Sequence, residues 1–136
     1  MRKRSIFSFA SCLLLAGISA TGTAHAAPSG YADCTTTGAS GWMSYTKQGT
    51  GMFGKFNISL GVLDQNPDGH EVRVRLISTD SDRKRHNWAW HAWYDGAHTG
   101  YTWYTTAQSN QGIYSLGVQV ARYEGKKLLN SCTAWE

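Results

Sequence analysis

The sequence predicts an all-β domain: an antiparallel β-sandwich or small barrel of about seven strands, closed by one disulfide. Three observations carry this. Apolar and polar side chains alternate with a period of two in run after run, while no segment sustains a helical period. Turn-forming clusters (QNPDG, STDSDRKR, DGAHTG, QSNQG and EGK) separate those runs. Two cysteines, Cys34 and Cys132, stand near the two ends of the chain that remains once an N-terminal leader is set aside.

The leader is read from the first residues. Arg2, Lys3 and Arg4 form a positive start, Ile6 to Ile18 is mostly apolar, and Ala24-His25-Ala26 is a small-x-small cleavage signal. This is the pattern of a secretory signal peptide, assigned to residues 1–26. The apolar run is too short and interrupted for a bilayer, which needs about 20 residues. Too short and poorly apolar a stretch precedes Cys12 for it to be a lipidated cysteine, so Cys12 is expected to leave with the leader. The expected product is a secreted, extracellular domain of residues 27–136, monomeric and without membrane association. Its electrostatics differ from those of the precursor. Three of the 13 Lys and Arg residues belong to the leader, leaving ten against nine Asp and Glu. The sequence pI of about 9.1 is therefore no argument for nucleic acid or anionic membrane as partner.

An even cysteine count in an exported chain reads as a disulfide, and Cys34 with Cys132 is the one intramolecular pairing left. Closing a loop of roughly 100 residues stabilises by about 4.7 kcal/mol in the chain-entropy account. Against a typical total of about 5–15 kcal/mol, such a bond is a large share.

Taken in order, the residues APSGYA are expected to be loose until Cys34 anchors them. A strand follows at Trp42–Thr46. In MFGKFNISLGV, Met52, Phe56, Ile58, Leu60 and Val62 share one parity, opposite Lys55, Asn57 and Ser59. In EVRVRLI, Val72, Val74 and Leu76 oppose Glu71, Arg73 and Arg75. Further strands are expected at Trp88–Asp95, Tyr101–Thr106, Ile113–Tyr123 and Lys127–Trp135. This layout resembles a group of small secreted proteins of actinobacteria through Cys34, Asp64 with Asp68-Gly69, GIYSLGVQV and Cys132. The chain departs from that pattern at Val118-Gln119-Val120, where many members carry a further cysteine. The resemblance implies a secreted β-rich domain and supplies no activity.

Several constellations carry residue types suited to chemistry. Asp64, Asn66, Asp68 and Gly69 match the opening positions of a calcium loop, but Arg75 stands where its bidentate Glu belongs. A Pro-Asp-Gly hairpin turn between two strands accounts for the same residues. His86 and His91 have opposite parity, and no His-x-His pair exists, so zinc is not expected. GASGW lacks the spacing of a nucleophile elbow, and most carboxylates sit in turns. No catalytic residue, metal or cofactor is therefore expected. DSDRKR nearly balances its own charge and reads as a solvated loop.

The densest feature is HNWAWHAWYDGAHTGYTWYTT, residues 86–106, with four of the six tryptophans. If DGAHTG closes a hairpin, Asp95 opposes Gly100, and Tyr94, Ala92 and His91 pair with Tyr101, Trp103 and Tyr104. Trp88, Trp90, Tyr94, Tyr101 and Trp103 then form a core face. The other face carries His91, Trp93, Thr102 and Tyr104, which are the candidate ligand-binding residues. Exposed aromatics beside polar groups suit sugars, whose C–H faces stack on rings while their hydroxyls need partners. They also suit protein partners. The expected function is thus a non-catalytic extracellular binding module for glycan or cell-envelope material. The alternative is a secreted protein-binding effector or inhibitor. Intact mass of the exported protein checks the leader: cleavage after Ala26 is expected, and a species retaining Arg2–Arg4 contradicts it.

Overall fold

Alternation decides which side of each strand becomes core, and the inward parities are the apolar ones. A computed structural model describes residues 26–136; the leader, with Cys12, falls at residues 1–25 outside them. The strands are β1 (Ser29–Thr36), β2 (Ala39–Gln48), β3 (Lys55–Asp64), β4 (Glu71–Thr79), β5 (Arg85–Asn87), β6 (His91–Trp93), β7 (Gly100–Ala107), β8 (Ser115–Glu124) and β9 (Lys127–Trp135). They form two antiparallel sheets. Sheet A has the order β1-β2-β3-β7; sheet B has the order β5-β4-β8-β9, with β6 also pairing β4. Neither sheet closes on itself, so the sandwich expectation holds and the barrel does not. Among the described residues no helix is long and apolar enough to cross a membrane.

The core lies between the inward rows of the sheets. Phe56, Ile58, Leu60 and Val62 of β3 and Met43 of β2 meet Val72, Val74 and Leu76 of β4 and Leu116, Val118 and Val120 of β8. All are buried. Burying a side chain of this size contributes about 1.5–3 kcal/mol each, as an upper estimate. Facing strands are β1 over β9, β2 over β8 and β3 over β4. The long outer edges are therefore β1 with β9 on one side, and β7 with β5 and β6 on the other.

The first edge is locked covalently. Cys34 of β1 and Cys132 of β9 form a disulfide with a Cα–Cα distance of 6.0 Å across a sequence separation of 98. Two hydrogen bonds run alongside: Thr36 Oγ1 to Asn130 Oδ1 at 3.1 Å, and the Tyr45 hydroxyl to Glu136 Oε2 at 2.9 Å. Burial and the neighbouring Glu136 carboxylate push the Tyr45 phenol up to about 12. It therefore remains a donor at any physiological pH.

Three local expectations are corrected. The residues before Cys34 are not loose: β1 begins at Ser29 and pairs residue by residue with β2. QNPDG does not turn a hairpin, because β3 belongs to sheet A and β4 to sheet B. It is an arch between sheets. Buried Asp64 fastens its start, accepting the Asn66 N–H at 3.1 Å, and Arg122 Nη1 holds its tip through Asp68 Oδ2 at 2.9 Å. Residues 94–99 are likewise a crossover from β6 in sheet B to β7 in sheet A, so the hairpin with Asp95 opposite Gly100 does not exist. The reason is common to both cases. Period-two patterning specifies that a strand has a buried face, and says nothing about which sheet receives the next strand.

Reduction of the Cys34–Cys132 bond is expected to lower the melting temperature by about 20 °C or more. Calorimetry with and without reductant reads this, and an unchanged midpoint contradicts the structural role given to the bond.

Candidate functional site

The aromatic stretch divides at a β-bulge. Ile77 pairs with Asn87 and Val74 with His91. Three steps along β4 are thus matched by four along the facing chain, and Ala89 with Trp90 together oppose Arg75. An extra residue of this kind reverses the facing of everything beyond it. Before the bulge Trp88 points inward, donating its Nε1–H to Ser78 Oγ at 3.0 Å. After it, His91 and Trp93 pair with inward-facing Val74 and Val72 and turn inward too. Trp90 is left on the outer face of sheet B.

His91 and Trp93 then meet β7 across the second edge of the sandwich. Trp93 stacks on Tyr101 with ring centres 5.2 Å apart and planes 21° apart. His91 lies 5.1 Å from Trp103, and Tyr101 lies 5.0 Å from Trp103. Trp93 Nε1 donates to Thr99 Oγ1 at 2.9 Å, and Trp93 and Trp103 pack against the core. The core-face expectation therefore holds for Trp88 and Trp103 and fails for Trp90 and for Tyr94, which is exposed. Tyr101 sits at the boundary, facing the stack yet half open to solvent.

The four candidate ligand residues do not come together. His91 and Trp93 belong to the edge stack, whereas Thr102 and Tyr104 point from β7 to the outer face of sheet A. On that face the strand registers build cross-strand rows. One row reads Tyr31, Ser44, Ser59, Tyr104; the next reads Ser29, Thr46, Asn57, Thr106. These residues line a groove of about 720 Å³. Its lining is mostly apolar surface, interspersed with Ser, Thr and Asn side chains, and its ends are Tyr31 at 57% exposure and Tyr104 at 81%. The third row is Asp33, Trp42, Gly61 and Thr102. The six-membered ring of Trp42 occupies the space that a side chain at Gly61 would fill, so glycine there lets the indole lie down on the sheet.

Tyr104 is thus the candidate that the outer groove retains. Tyr31 escapes a sequence reading because it lies in a Gly- and Ser-containing stretch that resembles a loop. Ser44, Asn57 and Ser59 occupy the polar parity of their strands, the only signal that they share a face. Among the described residues no group of three or more His, Cys, Asp or Glu is placed to hold a metal. The DSDRKR loop is organised by Asp80, whose Oδ1 accepts the Asp82 and Lys84 N–H groups at 2.9 Å each. Its Oδ2 lies 2.8 Å from His86 Nε2, and that hydrogen bond holds the carboxyl below its ordinary range. Comparison with known proteins finds no matching family model, curated protein or solved structure.

Truncating the two extremes of the aromatic set separates edge from groove. Trp93→Ala is expected to cost about 3 kcal/mol, through lost packing and an orphaned Thr99 contact. Tyr104→Ala is expected to change stability by less than about 0.5 kcal/mol. Denaturant unfolding of both checks this, and equal costs contradict the assignment.

Proposed function

We propose that this chain is an exported, non-catalytic binding module for glycan or cell-envelope polysaccharide, and that it binds through the outer groove of sheet A. The observation that carries this reading is the row Tyr31, Ser44, Ser59, Tyr104. Two exposed phenol rings flank a mostly apolar lining dotted with Ser, Thr and Asn side chains, which matches the mixed chemistry of a sugar. Its C–H faces stack on rings, and its hydroxyls take hydrogen bonds from Ser, Thr and Asn. The four strands span three inter-strand steps, about 14 Å, long enough for a run of sugar rings. The groove volume falls within the range of ligand sites, about 300–1,000 Å³. No Lys, Arg, Asp or Glu lines it, so the preferred glycan is uncharged.

A second reading, a secreted protein-binding effector or inhibitor, is favoured by one observation. β7 ends the ladder of sheet A, so one side of its backbone is open to strand addition by a partner.

Affinity electrophoresis in gels containing uncharged polysaccharides tests the first reading. The parent is expected to be retarded by at least one of them. Tyr31→Ala and Tyr104→Ala should each weaken binding about tenfold, equivalent to about 1.4 kcal/mol, with melting unchanged. Retardation that survives both substitutions removes the groove from the proposal. Failure of every polysaccharide, with capture of one specific protein that a proline at Thr102 abolishes, supports the second reading.

A further inference from the structure

The outer face of sheet B has a different chemistry from the groove of sheet A. Three arginines there lie against aromatic rings, and a fourth, Arg83, does so in the loops just beyond the strand ends. The Arg73 guanidinium lies 3.9 Å from the Tyr123 ring centre, Arg75 lies 4.3 Å from Trp90, Arg83 lies 3.6 Å from Tyr114, and Arg85 lies 5.9 Å from Trp135. Arg73 is neutralised by an ion pair with Glu71. Arg75 and Arg85 are not: among the described residues neither has a carboxylate within 4.0 Å.

These two guanidinium groups converge on one neutral atom. Arg75 Nε donates to Gln119 Oε1 at 2.8 Å, and Arg85 Nη2 donates to the same oxygen at 3.2 Å. Arg85 Nε donates to Asn87 Oδ1 at 2.9 Å. A guanidinium carries five N–H donors in a rigid planar fork. Both terminal nitrogens of Arg75 and Nη1 of Arg85 therefore have no protein acceptor among the described residues. Burial and then the Arg85 charge push the Arg75 guanidinium below its ordinary value, as expected of like charges held together. The arrangement is fixed by the fold. Arg75 and Gln119 are register partners on β4 and β8, and the bulge aims Trp90 outward beneath the Arg75 plane.

We propose that Arg75 and Arg85, bridged by Gln119, form an anion-binding site for the carboxylate or sulfate groups of an acidic polysaccharide. Two forked cations with unused donors fit an oxyanion, which accepts bidentate hydrogen bonds. The near balance of charge over residues 27–136 makes the attraction local to this pair. A polymer fits better than a free ion, because the pair stands on an open sheet face with exposed Trp135 beside it. An extended chain can then lay successive rings and charges across β4, β8 and β9. The site lies on the sheet opposite the uncharged-glycan groove and does not depend on it.

The test is affinity electrophoresis of the purified protein in gels containing polygalacturonate, dextran sulfate or uncharged dextran, with inorganic sulfate as competitor. Retardation is expected in one or both anionic gels and should fall with rising salt. The Arg75→Gln/Arg85→Gln variant should bind at least tenfold more weakly. The Lys55→Gln/Lys126→Gln variant, which loses the same charge elsewhere, should bind as the parent does. Arg85→Gln alone, at an exposed position, serves if the double variant melts early. Preference between the two anionic gels assigns carboxylate or sulfate. Three outcomes overturn the proposal: no retardation of the parent by either polyanion, equal loss in the arginine and lysine variants, or full competition by inorganic sulfate at equal molar anion. Tyr104→Ala should leave anionic retardation intact, so failure of the groove reading and failure of this one are separable.

Discussion

A sandwich of two open sheets has two long edges where water could enter between the layers, and closing both is the constraint on which this structure depends. The two edges are closed by unlike means. On the side of β1 and β9 the closure is covalent, Cys34 to Cys132, reinforced by Tyr45 and Glu136. On the side of β6 and β7 it is a stack of four rings, His91, Trp93, Tyr101 and Trp103. Large flat side chains suit that second edge because they cover much apolar surface while Trp93 still satisfies its N–H at Thr99. The disulfide limits the unfolded ensemble, whereas the stack acts only in the folded one.

The bulge at Ala89 and Trp90 links this closure to the outer surface. One extra residue opposite Arg75 turns His91 and Trp93 inward, where the edge needs them, and sends Trp90 outward, where Arg75 lies over it. Deleting a residue there would reverse both at once. The same local irregularity therefore shapes the core edge and the arginine-rich face. That coupling explains why three tryptophans so close in sequence, Trp88, Trp90 and Trp93, end in three different surroundings.

Much of this was legible in the residues, and the remainder was hidden for identifiable reasons. The inward rows of β3 and β4 follow directly from alternation, and the Cys34–Cys132 bond follows once Cys12 is set aside with the expected leader. Crossovers were not legible, because DGAHTG and QNPDG are turn-forming sequences whether the chain returns to the same sheet or arches to the other. The bulge was not legible either: Ala89 and Trp90 carry no glycine or proline to mark it. Of the residues named for a ligand, Tyr104 and Thr102 keep an outward position because no irregularity interrupts β7. His91 and Trp93 lost theirs to one inserted residue.

With the interior filled and the two layers sealed together along both sides, the two outer sheet faces are the broad surfaces left to solvent. Their chemistry is opposed. Sheet A presents Tyr31, Ser44, Ser59 and Tyr104 without a charged side chain in the groove, and sheet B presents arginines laid on aromatic rings. Residues on these faces contribute little to the core, so their identities are not set by packing. Tyr104 at 81% exposure costs apolar surface in water that a solvated polar residue would not. Arg75 and Arg85 likewise hold like charges together where a Gln and a Lys would relieve them. The rings of Trp90 and Trp135 offset part of that repulsion, so the sheet B face combines stacked cations with guanidinium donors that no protein acceptor takes up.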